Sequence, residues 1–179
     1  MSDVLGPPTS SERIFDGEVL SLRVSQYRRP SGLVVRREVI DHPGAVMIIP
    51  IEDGQVLLVR QPREAVEQRM LELPAGKLDV PGEPPLECAK RELAEEVGRG
   101  AKRWEDLGGF YATPAISTEF IHCFLAVDLF PVATAPVDDE EIEVVPVDLA
   151  SLDQTIAEVQ DAKTLIGLMR LARRVAAER

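Results

Sequence analysis

The residues best suited to chemistry lie between Gly76 and Gly98, a short stretch that holds Glu83, Arg91, Glu92, Glu95 and Glu96. The pattern of residues 86–97 predicts a helix that ends at Gly98 and Gly100. At about 100° per residue, Leu86, Ala89, Leu93 and Val97 share an apolar stripe about 80° wide that can pack on a sheet. Glu92 and Glu96 border that stripe and Glu95 lies further round, so three carboxylates crowd one side of the helix. Each like-charged pair at this spacing costs roughly 0.2–0.5 kcal/mol, and more beside a core face. A hard divalent cation reverses that sign, because magnesium takes oxygen ligands and is shared between one or two carboxylates and substrate phosphates. The alternative is a solvated acidic face, partly neutralised by Lys90 and Arg91.

The whole segment resembles the signature of the Nudix hydrolases, Gly-x5-Glu-x7-Arg-Glu-U-x-Glu-Glu-x-Gly-U, where U is a bulky aliphatic residue. Gly76, Glu83, Arg91, Glu92, Leu93, Glu95, Glu96 and Gly98 match it. Two positions depart from it. Six residues, where the motif has five, separate Gly76 from Glu83, which predicts a bulge in the loop containing Pro81 and Gly82, and Arg99 stands at the final aliphatic position. The resemblance implies Glu92 and Glu96 as principal metal ligands, with Glu95 and the carbonyl of Ala75 as further ones. It implies magnesium as the cation, with manganese as an alternative. Arg91 would orient the carboxylates, Glu95 would share in catalysis, and Glu83 would brace the loop. The chemistry implied is hydrolysis of a nucleoside diphosphate joined to a further group, with metal ions activating water.

The similarity continues through Phe15–Val24, residues 36–46, Leu57-Leu-Val-Arg-Gln-Pro-Arg63 and Leu71-Glu-Leu-Pro-Ala-Gly76, and is that of the ADP-ribose pyrophosphatase branch. The implied reaction cuts ADP-ribose or a related ADP-sugar into AMP and a sugar phosphate. In that branch the N-terminal extension exchanges between subunits, so a homodimer is implied. Pro114 lies 16 residues after Gly98, about where the branch carries a proline, and Glu119 follows in the same loop. Both are candidate substrate contacts. Arg60 and Arg63 are candidates for phosphate or ribose, or else solvated surface arginines. In the acidic loop, Glu140 is the first candidate for a general base and Glu141 the second. Dinucleoside polyphosphates, other nucleotide sugars and dinucleotides remain open as substrates. A non-catalytic sensor of ADP-ribose is a further alternative, against which the intact Glu92, Glu95 and Glu96 argue.

These residues need a scaffold. Residues 14–41 predict an antiparallel meander broken at Pro30-Ser31-Gly32, and residues 45–51 and 55–61 predict a core hairpin around Glu52-Asp53-Gly54. Strands are expected at 104–111, 122–129 and 141–147, and helices at 149–159 and 161–177. Strands and helices do not alternate regularly. That order implies a mixed sheet with helices packed on it, and the resemblance implies the class α+β, an α/β/α sandwich whose mixed sheet has flanking helices. A strand-rich extension, residues 1–43, precedes the domain at 44–179.

Thirty-one acidic against 20 basic residues give a net charge of −11, a field that repels nucleic acid at long range. A small phosphorylated ligand remains compatible if a cation intervenes. No apolar run approaches the roughly 18–20 residues of a spanning helix, and the first 17 residues lack a signal pattern, so a cytoplasmic protein without a membrane partner is expected. Cys88 and Cys123 lack zinc-site spacing and read as buried thiols.

Overall fold

A computed structural model describes residues 6–133 and 141–177. The chain divides into two compact units, Met1–Gly44 with Tyr111–Phe120, and Ala45–Phe110 with Ile121–Arg179.

In the first unit, β1 (Ser10–Asp16), β2 (Ser21–Arg28) and β3 (Val34–Asp41) form an antiparallel sheet in that order. The meander begins four residues earlier than its apolar pattern suggests, because polar cross-strand partners extend it: the Ser11 and Ser25 hydroxyls hydrogen-bond at 2.9 Å. Residues 111–120 join this unit through a parallel bridge between Ile40 and Ser117. The Ile40 N–H donates to the Ile116 carbonyl at 2.8 Å, and the Thr118 N–H donates to the Ile40 carbonyl at 3.0 Å.

The second unit is built on β4 (Ala45–Glu52), β5 (Gln55–Arg63), β6 (Gln68–Glu72), β7 (Ala75–Lys77), β8 (Arg99–Tyr111), β9 (Phe120–Pro131) and β10 (Glu143–Asp148), with helix α1 (Pro85–Val97) between β7 and β8. The sheet runs β10-β5-β4-β9-β8, with β6 on β5 and β7 on β4. It is mixed: β4 pairs parallel with β9 and antiparallel with β5 and β7. After β10 come a 3-10 turn (Leu149–Ser151), α2 (Leu152–Glu158) and α3 (Ala162–Ala177). The hairpin between β4 and β5 turns on Asp53 and Gly54, both at positive φ, 50° and 78°, as a two-residue hairpin loop requires.

Strand β4 explains the layering. Its apolar residues are buried on both faces, as a central strand demands, and they divide by parity. Ala45, Met47 and Ile49 pack with Leu152, Leu168 and Leu171 of the C-terminal helices. Val46 and Ile48 pack with Cys88, Ala89, Leu93 and Val97 of α1. The sheet therefore lies between α1 and α3. Several expected boundaries move: the strands expected at 122–129 and 141–147 run over Phe120–Pro131 and Glu143–Asp148. Strand β8 starts at Arg99, because Gly100 belongs to the strand, where a Cβ would stand 2.5 Å from the Phe130 ring. The helix expected from 149 begins as the 3-10 turn. Among the described residues no helix is long and apolar enough to cross a membrane.

Candidate active site

Helix α1 has sharply set ends. The chain arrives through extended Pro84 (ψ 148°), with Pro85 opening the helix, a position where its missing N–H costs nothing. It leaves through Gly98 at φ 67°, whose N–H returns to the Ala94 carbonyl at 2.9 Å. Between these ends, burial of Ala89, Leu93 and Val97 against β4 and β5 fixes the helix rotation. Its carboxylates are then graded in exposure: Glu96 is 8% exposed, and the side chains of Glu92 and Glu95 are 13% and 35% exposed.

One guanidinium joins most of them. Arg91 Nε and Nη2 donate to the two oxygens of Glu83, each at 3.1 Å, while Nη1 donates to Glu92 at 2.7 Å and to Glu95 at 2.9 Å. The bonds to Glu83 raise the Arg91 pKa against the opposing effect of burial, and they hold the Glu83 carboxyl below its usual range. Glu96 is held separately, accepting the Ala75 N–H at 3.1 Å. Gly76 is next in sequence, and the reason for a glycine is steric: a Cβ there would stand 1.9 Å from Glu92 Cδ. Strand β7 can therefore press its backbone against the carboxylates only without a side chain at this point.

The donor set fits a hard divalent cation. It offers carboxylate oxygens with no imidazole among them, as magnesium prefers. Two of the carboxylates are largely withdrawn from water, where mutual repulsion is costly. Among the described residues no three His, Cys, Asp or Glu side chains already meet at ligand distance; Arg91 draws Glu92 and Glu95 onto itself. The Cys88 thiol touches Arg91 at 3.4 Å, but burial and the charge of Glu92 push its pKa up to about 12, which disfavours the thiolate form.

A family model described as the NUDIX domain matches residues 41–166. The chain belongs to the Nudix family. It is 37% identical over 167 residues to an ADP-ribose pyrophosphatase of Bacillus subtilis, covering 90% of each chain. With an ADP-ribose pyrophosphatase of Mycobacterium tuberculosis it shares 42% identity over 135 residues, 75% of this chain and 65% of that one. A crystal structure of an ADP compounds hydrolase superposes with a TM-score of 0.84 at 26% identity, covering 99% of this chain and 98% of that one. The chain is thus a Nudix hydrolase, and enzymes of this family generally use divalent metals.

Both departures from the Nudix signature have local explanations. The extra residue before Glu83 does not form the expected bulge. It is taken up in a tight turn in which the Glu83 N–H donates to the Val80 carbonyl at 3.1 Å, with Pro81 followed by Gly82 at φ 80°, the residue order of a type II turn. Glu83 consequently still reaches Arg91. Arg99, at the aliphatic position, forms a forked pair with Glu52 at 3.0–3.2 Å.

The structure brings together Ala75, Glu83, Arg91, Glu92, Glu95 and Glu96. Arg60 lies on β5, exposed and 3.8 Å from Glu143. Arg63, at the end of β5, is forked onto Glu72. Glu141 is exposed and accepts from Arg69 at 2.9 Å. Pro114 and Glu119 belong to the other compact unit; Pro114 is exposed, and Glu119 lies 3.9 Å from His42 Nδ1. Glu140 lies outside the described residues. Sequence reasoning passed over Glu72, whose burial no local pattern signals, and Gln61, whose buried Nε2 has no partner among the described residues.

The contact at Gly76 yields a prediction. In Gly76→Ala the flexible end of Glu92 must move aside, which displaces its carboxylate but spares the core. Turnover should fall about 100-fold, the scale of a misplacement of roughly 1 Å, while the melting temperature stays within a few degrees. Unchanged turnover in a steady-state assay would show that the position of Glu92 is immaterial.

Proposed function

We propose that this Nudix hydrolase cuts the diphosphate of ADP-ribose or a related ADP-sugar with magnesium, giving AMP and a sugar phosphate. The observation that carries this reading is the partly buried set Glu92, Glu95 and Glu96, the first two gathered by Arg91 and the third held by the Ala75 N–H, beside the Gly76 backbone. The names and nearly full-length coverage of the relatives supply the substrate class.

In this reading Glu92, Glu96 and the Ala75 carbonyl hold the cation, with Glu95 as a further ligand. Bound magnesium supplies charge neutralisation at the diphosphate and lowers the pKa of water. Arg91 keeps the carboxylates oriented between turnovers. Water adds to one phosphorus while the bridging P–O bond breaks, and a carboxylate oxygen of Glu140, or secondarily Glu141, accepts the proton. Arg60, Arg63, Pro114 and Glu119 are the proposed substrate contacts.

We also propose a homodimer built through the N-terminal extension. Strand β1 is exposed along its whole length, and Ile14, Phe15, Val19, Leu20, Leu33 and Val34 all face solvent in the single chain. A sheet of three strands draws its stability from a covered hydrophobic face, and a partner copy would cover these exposed side chains.

Two measurements test these readings. Incubation with magnesium and a panel of ADP-ribose, other nucleotide sugars and dinucleotides, followed by product chromatography, should give AMP and ribose phosphate fastest from ADP-ribose. The Glu140→Gln variant should be about 100- to 10,000-fold slower. Preference for another panel member would replace the substrate, and failure to turn over any would remove the hydrolytic reading. In sedimentation velocity the protein should run as a dimer at micromolar concentration; a fully active monomer would contradict the assembly.

A further inference from the structure

Around the end of β6 lies a second charged cluster, of which the hydrolytic reading uses only Arg63. Along β5, Leu57 and Val59 point into the α1 core, so Gln61 and Arg63 share that face by parity. Glu72 pairs with Val59 across β5 and β6 and shares it too. Its side chain is 2% exposed. It accepts Arg63 Nε at 2.7 Å and Nη2 at 2.8 Å, and it also accepts the ammonium of Lys163 from the first turn of α3. Lys163 is tied in turn to Asp161 at 3.1 Å, and Asp161 caps α3 by accepting the Thr164 N–H at 2.9 Å and its hydroxyl at 2.6 Å. The same Thr164 hydroxyl accepts the Leu73 N–H at 2.8 Å.

Stability is a poor reason for this arrangement. Burying a carboxylate with two cations costs desolvation that the pairing at best repays, and a well-packed apolar set commonly does as well. What the arrangement gives is direction. Arg63 spends Nε and Nη2 on Glu72, while Nη1 makes no hydrogen bond among the described residues and the side chain is 42% exposed. The guanidinium is thus a fixed fork with one open edge, the shape that suits a phosphate oxygen. The negative charge of Glu96 reaches it as well, reinforcing the main effect of the Glu72 bonds on its pKa. The segment carrying Glu72 runs within three residues to Ala75, whose N–H holds Glu96.

We propose that Glu72 and Lys163 are positioning residues that aim the open edge of Arg63 at a phosphate of the nucleoside diphosphate, so that α3 takes part in substrate recognition. The proposal rests on the nucleotide reading above, but it concerns binding and can be separated from turnover.

The test is a double-mutant cycle with Lys163→Met and Arg63→Ala, with Lys163→Arg as the charge-conserving variant. KM and kcat are measured with ADP-ribose, and ADP binding is measured by calorimetry in chelator. Lys163→Met should raise KM and weaken ADP binding about tenfold with kcat within about threefold, and Lys163→Arg should restore most of the loss. In the Arg63→Ala background Lys163→Met should change binding less than twofold, because a residue acting through Arg63 has nothing left to aim. Equal effects in both backgrounds, or none in the parent, would overturn the proposal; so would a parent that binds no ADP. If the parent binds ADP with this pattern yet hydrolyses no panel member, the positioning stands and the substrate reading falls. Thermal unfolding of each variant separates loss of fold from loss of aim.

Discussion

A single guanidinium set against three carboxylates is the constraint around which the rest of this protein is arranged. Arg91 satisfies Glu83, Glu92 and Glu95 geometrically, yet one positive charge cannot balance three, and Glu96, which accepts the Ala75 N–H, adds a fourth negative group. The surplus is tolerable at a solvated surface and costly where Glu92 and Glu96 sit, beside the apolar face of α1. The surrounding structure holds the surplus in place. Prolines start the helix, a left-handed glycine stops it, and the α1-facing parity of β4 fixes its rotation. Gly76 removes the one side chain that would keep β7 away. On the proposed reading a divalent cation would relieve the imbalance.

Much of this was legible in the sequence because it is local. The stripe of α1, its end at Gly98 and the crowding of its glutamates all follow from spacing along one helix. The mixed sheet was legible because its central strands are strongly apolar and because strands and helices do not alternate regularly; the helix layers on both faces were implied by the Nudix resemblance. The added residue before Glu83 was expected to bulge its loop, and the Pro-Gly pair takes it up there as a tight turn.

What was not legible depends on long-range pairing. Glu72 and Lys163 are 91 residues apart, and neither Leu-Glu-Leu nor the start of α3 advertises a buried ion pair. Arg63 looked like a surface arginine or a phosphate contact; its fork onto Glu72 gives it a fixed orientation that neither description contains. Residues 111–120 likewise join β3 through a bridge at Ser117 that no turn signal announces. The partnership of Arg99 with Glu52 spans 47 residues and hides in a motif position reserved for an aliphatic side chain.

On the proposed reading, the surplus charge on α1 holds a divalent cation. Manganese titrated into the purified parent and into Glu96→Gln, read as free ion by electron paramagnetic resonance with magnesium as competitor, tests it directly. The account predicts saturable binding by the parent, displacement by magnesium, and affinity lower by about tenfold or more in the variant, the scale expected when a metal site is damaged. Equal manganese affinity in the two proteins would contradict it.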